Sequence, residues 1–396
     1  MGTTSERRIV FLISRFLDGG IDTVLRGYLQ HFAGRSDYRI TLAIGTAMGD
    51  LEVYKDSLPP EVNVVYFVGD GWLTRWRQKK VVGRLPLYQK LLDEALLSPI
   101  RRWLIQRNLR RTALENDVVI DFDSCFYSYL KHIDTFKIAW FHFSFEQSLH
   151  MNRRRMLRIG RLFEHYDKVV SISKAMYDEG IRLFPNLKEK LCVIYNAKDR
   201  DRMLERSMEP VASDLIRQPF ILAVERLEES QKDLTTMIRA FQRFKQQYRR
   251  PERLYIIGKG NSEGELRQLA SELGIADDVV FLGFCANPYP WMREARLLVH
   301  SAKMEGLPTV LIEGLMLDKL IVATDCPTGP AEILDGGKAG VLVPVGDPQA
   351  MADAIHRVLD DSALQQQLLA DVREHRRQFT FEATEVLFDE MINRGK

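Results

Sequence analysis

The chain has 396 residues, of which 45% are hydrophobic and 28% charged. That composition excludes a disordered or fibrous protein and suits two domains of about 150–200 residues, each with its own core. The formal net charge of +2 hides an asymmetry: residues 1–200 carry 32 Lys and Arg against 23 Asp and Glu, and residues 201–396 carry 24 against 31. The first predicted element is an apolar strand at 9–14, directly after M-G-T-T-S-E-R-R. It is too short and too soon interrupted to be a signal peptide or a membrane span, so a cytoplasmic protein is expected. Further strands are predicted at 40–44, 62–68, 118–122, 137–141, 168–172 and 191–195. Short apolar runs separated by helical stretches imply a parallel sheet covered on both faces. A polar stretch at 199–217 reads as a linker. A second series follows at 220–224, 254–257, 279–282, 297–300, 320–323 and 340–343, and the pattern at 379–394 reads as a helix crossing back to the first domain.

The fold class is therefore α/β, two doubly wound Rossmann-like domains expected to face each other across a cleft. The first domain is expected over residues 1–205 and the second over 206–376, with 377–396 as the returning helix. The four cysteines, Cys125, Cys192, Cys285 and Cys326, have no C-x-x-C spacing, which speaks against a disulfide frame or a cysteine zinc site.

Much of the basic excess lies at 71–111. There Trp72, Trp76 and Trp103 alternate with Arg75, Arg77, Lys79, Lys80, Arg101 and Arg102; a second cluster holds Arg153, Arg154, Arg155, Arg158 and Arg161. Basic residues mixed with Trp and Leu on helices are attracted to an anionic membrane surface, at about 1 kcal/mol per basic residue. Solvated helix faces account for the same pattern nearly as well. No nucleic-acid motif accompanies the charge, so a nucleic-acid partner is not expected.

In doubly wound sheets ligands bind beyond the carboxyl ends of the strands, so the residues there carry the functional reading. After the first strand come Gly19 and Gly20, suited to close backbone approach, with Asp22 as a helix cap. The G-x-G-x-x-G spacing of a dinucleotide site is missing here and also at Gly258–Gly264, which disfavours a nicotinamide enzyme. Asp121 and Asp123 form D-F-D with no helper ligands nearby, and no metal site is expected. His142 ends an aromatic strand. Arg226 and Lys232 flank a loop after 220–224, where both can neutralise a diphosphate. The strand at 297–300 ends in a loop with Glu305 and Gly306, and Pro308 stands where a helix begins, its missing N–H suiting the first turn. Glu313 lies eight positions after Glu305, inside that otherwise apolar helix. An unpaired charge there is costly, which argues for a bound partner. Two carboxylates around a helix N-terminus suit a ligand with hydroxyls and an anionic group, such as a nucleotide sugar.

Taken together, E-G-L-P-T-V-L-I-E, A-V-E-R-L-E-E-S-Q-K-D-L, I-I-G-K-G-N, V-V-F-L-G-F, T-D-C-P-T-G-P-A-E-I-L and G-V-L-V-P-V-G-D resemble the family-four retaining glycosyltransferases of the GT-B fold. L-D-G-G-I-D, W-F-H, V-V-S-I-S-K and V-I-Y-N add to the resemblance in the first half. It implies that Glu305 contacts hydroxyls of the donor sugar and Glu313 the ribose. Arg226 and Lys232 would clamp the diphosphate, and the backbone of Gly306, Leu307, Pro308 and Thr309 would help hold sugar and phosphate. His142 would line the site from the acceptor domain, Gly19 and Gly20 would lie near the phosphates, and Gly258 and Phe284 would border the donor. The chain departs from the pattern in two ways: Glu225 stands where the family usually has glycine, and the Arg226-to-Lys232 spacing is one residue longer than usual.

The expected activity is transfer of a hexose or N-acetylhexosamine, from a UDP-linked donor, to a bacterial surface glycan or lipid-linked acceptor. Configuration would be retained by front-side displacement, with no cofactor or metal, at the cytoplasmic face of the inner membrane. Two rivals are a nucleotide-sugar epimerase of related fold and a non-catalytic nucleotide-sugar-binding subunit.

Overall fold

A computed structural model describes residues 6–83 and 85–393. Residues 1–5 of the expected first domain, Arg84 of the basic stretch and residues 394–396 of the expected returning helix lie outside the described residues. The chain packs as two units. The first holds residues up to Ile172, Met176–Ala197 and the chain from Glu385 onward; the second holds Ser173–Ala175 and Lys198–Thr384.

The first unit is built on a seven-stranded parallel sheet. Its strands are β1 (Arg7–Ile13), β2 (Tyr38–Ile44), β3 (Asn63–Tyr66), β4 (Val118–Asp121), β5 (Phe136–Phe141), β6 (Lys168–Ser171) and β7 (Leu191–Val193). The spatial order is β3-β2-β1-β4-β5-β6-β7. Ile9 is opposite Ile40 on one side and Val118 on the other, and it is fully buried with Val10, Phe11 and Leu12. A strand covered on both faces has no need of alternating polarity, which is why these runs are continuously apolar. The order reverses between β1 and β4, so the loops after those two strands flank the unit's switch point.

The second unit has six parallel strands: β8 (Phe220–Val224), β9 (Arg253–Ile257), β10 (Val279–Gly283), β11 (Leu297–His300), β12 (Ile321–Thr324) and β13 (Val341–Val343). Their order is β10-β9-β8-β11-β12-β13, with the switch point between β8 and β11. A hydrophobic core joins the sheet to the helices Leu234–Tyr248 and Pro348–Asp360 through Met237, Phe241, Phe244, Met351 and Ile355.

The last helix runs Phe381–Asn393, and from Glu385 it packs on the first unit. Phe388 is fully buried and stacks on Phe32 with ring centroids 4.6 Å apart. Glu385 and Asp389 both hold the guanidinium of Arg35, and Glu385 also lies 3.0 Å from Nε2 of His31.

Two expectations need correction. The stretch 199–217 is not an unstructured linker. Asp199 caps a helix, Arg200–Ser207, by accepting from the Arg202 N–H at 3.0 Å, and a 3₁₀ turn follows at Asp214–Arg217. The helix is polar because only Met203 and Ser207 are buried, so composition alone hides it. The change from one unit to the other accordingly falls at Ala197/Lys198. Arg101 does not belong to the exposed basic face: its guanidinium is buried, bidentate to Asp93 at 2.7 and 2.8 Å.

Candidate functional site

Strand order brings two distant loops of the second unit side by side. β8 pairs with β11, so Glu225 and Arg226, which follow β8, adjoin Ser301 and the loop to Glu305, which follow β11. Lys232 is fixed between them by backbone. Its N–H donates to the Glu228 carbonyl at 2.8 Å, it forms an antiparallel bridge with Ala302, and the Lys303 N–H donates to the Gln231 carbonyl at 2.8 Å. From that position its ammonium pairs with Oε1 of Glu305. The Glu305 backbone is held by the next loop, donating to the Pro327 carbonyl at 2.6 Å and accepting from the Thr328 N–H at 3.0 Å. The T-D-C-P-T segment therefore aims Glu305.

Both members of this pair are buried. Burial alone would raise the Glu305 pKa, but the Lys232 charge and the nearby His300 outweigh it and bring it to about 2. For Lys232 burial works against the charge, and Glu305 and Glu225 overcome it, raising the pKa above the ordinary lysine value. An ion pair this enclosed is strongly coupled in a medium of low polarity.

Sequence analysis missed two further members of the cluster. Glu225, noted only as a departure from the glycine usual in the family, is fully enclosed; its Oε1 accepts from the Ser301 N–H at 3.0 Å and lies 2.9 Å from Nδ1 of His300. His300 ends an apolar strand and reads from sequence as core, yet its Nε2 lies 3.6 Å from Oε1 of Glu305. Neither approach lies along a ring N–H, so these are charge contacts and not aligned hydrogen bonds. The only available signal was a histidine ending one strand and a glutamate ending another, and it needed the β8–β11 pairing to be readable.

The helix Thr309–Met316 starts at Pro308, which is extended at φ −65°, ψ 106° and caps no N–H with a side chain. In its first turn the Leu311 N–H donates to the Pro308 carbonyl at 3.1 Å, and a helix N-terminus is in general suited to an anion. Leu311, Ile312, Leu315 and Met316 are buried, and a Cβ on Gly314 would come within 2.8 Å of Leu298 Cδ1, so the helix lies tight on the sheet. Gly306 and Thr309 are partly exposed at that end, whereas Leu307 and Pro308 are buried.

Glu313 is buried, but not unpaired: Nζ of Lys198 lies 2.5 Å from its Oε1. The inference that its charge demanded a bound partner is corrected, because a lysine 115 residues away supplies the compensating charge. Arg226 is exposed and joins neither ion pair among the described residues. Its loop is seated by glycines: a Cβ on Gly258, at φ +151°, would lie 1.8 Å from the Glu225 carbonyl oxygen, and one on Gly260 would lie 2.1 Å from that of Leu227. Phe284 is half exposed, with Nζ of Lys259 4.7 Å from its ring centroid.

Three of the expected residues lie in the first unit. Gly19 precedes the helix Gly20–Phe32, and Asp22 accepts from the N–H groups of Leu17 at 3.0 Å and Gly19 at 2.9 Å. The space over Gly20 is open, whereas a Cβ on Gly19 would come within 2.9 Å of Asp22 Oδ2. His142 is buried. Its Nε2 lies 2.8 Å from the Phe122 carbonyl oxygen, which can only accept, so Nε2 carries the proton. Burial lowers its pKa to about 4, so at neutral pH the ring is uncharged and Nδ1 is an acceptor.

Asp121 and Asp123 organise the loop after β4. Asp121 accepts from the N–H groups of Cys125 and Phe126 and from the Tyr166 hydroxyl, and Asp123 from the N–H groups of Ser14 and Cys125. Among the described residues no group of three or more His, Cys, Asp or Glu is arranged to hold a metal ion. Burial and the Asp123 charge raise the Asp121 pKa to about 8. A folded pKa above the unfolded value stabilises below the unfolded pKa and loses that contribution as pH rises to the folded one. The wild-type melting temperature should therefore fall between about pH 4 and 8, and more steeply than that of Asp121→Asn, which has no carboxyl to titrate. Scanning calorimetry across that range checks it.

Residues 218–361 match the family model described as glycosyl transferases group 1. The chain is 30% identical over 206 residues to the N-acetylgalactosamine-N,N'-diacetylbacillosaminyl-diphospho-undecaprenol 4-alpha-N-acetylgalactosaminyltransferase of Campylobacter jejuni, a stretch covering 52% of this chain and 54% of that enzyme. It thus spans about half the length of that relative. It is 27% identical over 258 residues to the lipopolysaccharide core biosynthesis glycosyltransferase LpsD of Rhizobium meliloti, covering 60% of this chain and 74% of the relative. The crystal structure of Anabaena HepE with UDP and glucose superposes over 98% of this chain and 100% of its own, with a TM-score of 0.75 at 18% identity. The fold is that of the GT-B glycosyltransferases.

Proposed function

We propose that this chain, whose residues 218–361 form a group 1 glycosyltransferase domain, moves a hexose or N-acetylhexosamine from a UDP-linked donor to a bacterial surface glycan or lipid-linked acceptor, with retention of configuration. The observation that carries the reading is the buried Lys232–Glu305 pair at the β8–β11 switch point, in the loop that leads to an uncapped helix N-terminus. A cation and a carboxylate that neutralise each other inside a protein add little net stability, so their retention has a better explanation in a ligand that engages both. The donor supplies that ligand. Its diphosphate takes Lys232, Arg226 and the N–H groups of the helix Thr309–Met316, while the hydroxyls of its sugar donate to Glu305. Glu313 accepts from the ribose hydroxyls while keeping Lys198. Gly258 and Phe284 border the donor, and in the first unit the neutral His142 accepts a hydrogen bond from a substrate hydroxyl.

In the reaction the acceptor oxygen bonds to the anomeric carbon on the face from which the diphosphate leaves. The carbon–phosphate-oxygen bond breaks, and the acceptor's proton passes to the departing oxygen. Arg226 and Lys232 stabilise the growing negative charge, each by roughly 3–4 kcal/mol if they match measured oxyanion donors. No metal and no cofactor take part in this scheme. Support for a UDP donor comes from the HepE complex, and support for a glycan or lipid-linked acceptor from the names of the Campylobacter and Rhizobium relatives. NMR of the product's anomeric linkage tests retention, and an inverted linkage overturns it.

A lipid-linked acceptor also gives the basic helices of the first unit a use, as a peripheral contact with an anionic membrane. Trp72, Leu87, Tyr88, Leu91, Leu96 and Trp103 are exposed, as are Arg75, Lys79, Lys80 and Arg102. Among the described residues no helix is long and apolar enough to cross a membrane. Charge reversal at Arg75, Lys79 and Lys80 should weaken sedimentation with phosphatidylglycerol vesicles by about 100-fold or more, at roughly 1 kcal/mol per basic residue lost, and added salt should do likewise. Binding that ignores both removes the membrane from the account.

A further inference from the structure

We infer that His300, held by Glu225, is a positioning residue for Glu305: it keeps that carboxylate ionised and aimed when a diphosphate draws Lys232 away. The inference rests on the donor reading above and goes past it to residues that reading does not use.

The geometry begins with Glu225. Its side chain is wholly enclosed, and Oε1 has the Ser301 N–H and the His300 ring, but Oε2 has no hydrogen-bond partner among the described residues. A carboxylate in that position is costly unless a positive charge adjoins it. The charged and titratable groups around the cluster are Glu225 after β8, Lys232 on the following loop, Glu305 after β11, and Cys326 after β12. The imidazole stands between the two carboxylates, 2.9 Å from one and 3.6 Å from the other. Burial pushes its pKa down, and Glu225 and Glu305 together raise it above the ordinary histidine value despite the nearby Lys232.

Lys232 compensates Glu305. A diphosphate is the stronger anion and competes for the same ammonium. Without the imidazole, a buried carboxylate deprived of Lys232 would take up a proton, and one of its oxygens would become a donor where a sugar hydroxyl needs an acceptor. With the imidazolium beside it, Glu305 stays ionised while Lys232 serves the phosphates. The glutamate in place of the family's usual glycine at position 225 then has a physical purpose: it supplies the charge that holds the proton on His300.

The test compares the full chain with His300→Gln and Glu225→Gln. One readout needs no activity: the carboxyl ¹³C resonance of Glu305 and the ¹⁵N resonances of His300 are followed against pH in the presence of UDP. The expected result is a His300 midpoint above the free-imidazole range in wild type and lower in Glu225→Gln, with the Glu305 midpoint climbing by about one pH unit or more, a tenfold change in its ionisation constant, in His300→Gln. The second readout is turnover with UDP-glucose, UDP-galactose and their N-acetyl forms, for which His300→Gln should lose about tenfold or more in kcat while the Kd for UDP alone stays within about twofold. An unmoved Glu305 midpoint overturns the inference, as does loss of UDP affinity in step with kcat. If His300→Gln does not fold, Glu225→Gln carries the same comparison through its lowered His300 midpoint. If wild type turns over none of the four sugars, the donor reading fails for these donors, while the NMR titration still decides the charge relation.

Discussion

Glu305→Ala should lose about 1,000-fold or more in transfer rate and destabilise the second unit by about 3–5 kcal/mol. The two losses have separate causes. The rate falls because the sugar hydroxyls lose their acceptor, and stability falls because the buried Lys232 loses its paired carboxylate and keeps only the Glu225 charge nearby. Glu305→Gln separates them. The amide keeps the shape and can still accept one hydrogen bond from the ammonium, so part of the stability returns, but the charge that opposes Lys232 and attracts the hydroxyls does not. Urea unfolding and turnover of each variant give both quantities. A Glu305→Ala protein that is fully active and equally stable would mean that the pair is decoration.

Gly258→Ala is the second large effect. The added Cβ would sit 1.8 Å from the Glu225 carbonyl oxygen, far inside contact distance, and the backbone angle of +151° is one that alanine adopts only under strain. Backbone cannot swing aside as a long side chain can, so the loop after β8 must move. We expect a stability loss of about 3 kcal/mol or more, together with reduced affinity for UDP, because the displaced segment carries Arg226. Gly20→Ala is the control: nothing lies within 4 Å of its Cβ direction, and its stability should change by less than about 1 kcal/mol. Thermal unfolding of the two proteins side by side decides the matter.

The architecture was readable because buried parallel strands announce themselves. Runs such as 118–120 and Phe220–Val224 are apolar throughout and bounded by polar or glycine-containing loops. The helix Arg200–Ser207 was not readable, since a helix with two buried residues leaves almost no periodic signal. The same contrast holds at the site. Glu305, Glu313 and the proline between them lie within one short segment, so local spacing places them around one helix N-terminus. Lys198 beside Glu313 and Glu225 beside His300 are pairings across 115 and 75 residues. They depend on which strands are neighbours, and a hydrophobic pattern does not carry that information. His142 lies between the two cases: its position after an aromatic strand was legible, but its neutrality required the burial and the Phe122 carbonyl to be seen.

The central claim is that one activated saccharide is gripped at its nucleoside end by Glu313 and at its sugar end by Glu305. Calorimetric titration of wild type, Glu313→Gln and Glu305→Gln with UDP, and then with the UDP-sugar that wild type turns over, tests it most directly. UDP alone should bind about tenfold more weakly to Glu313→Gln and unchanged to Glu305→Gln, whereas the UDP-sugar should bind more weakly to both, a difference of about 1.4 kcal/mol in each case. UDP affinity that is indifferent to Glu313→Gln, or weakened equally by Glu305→Gln, would contradict the account.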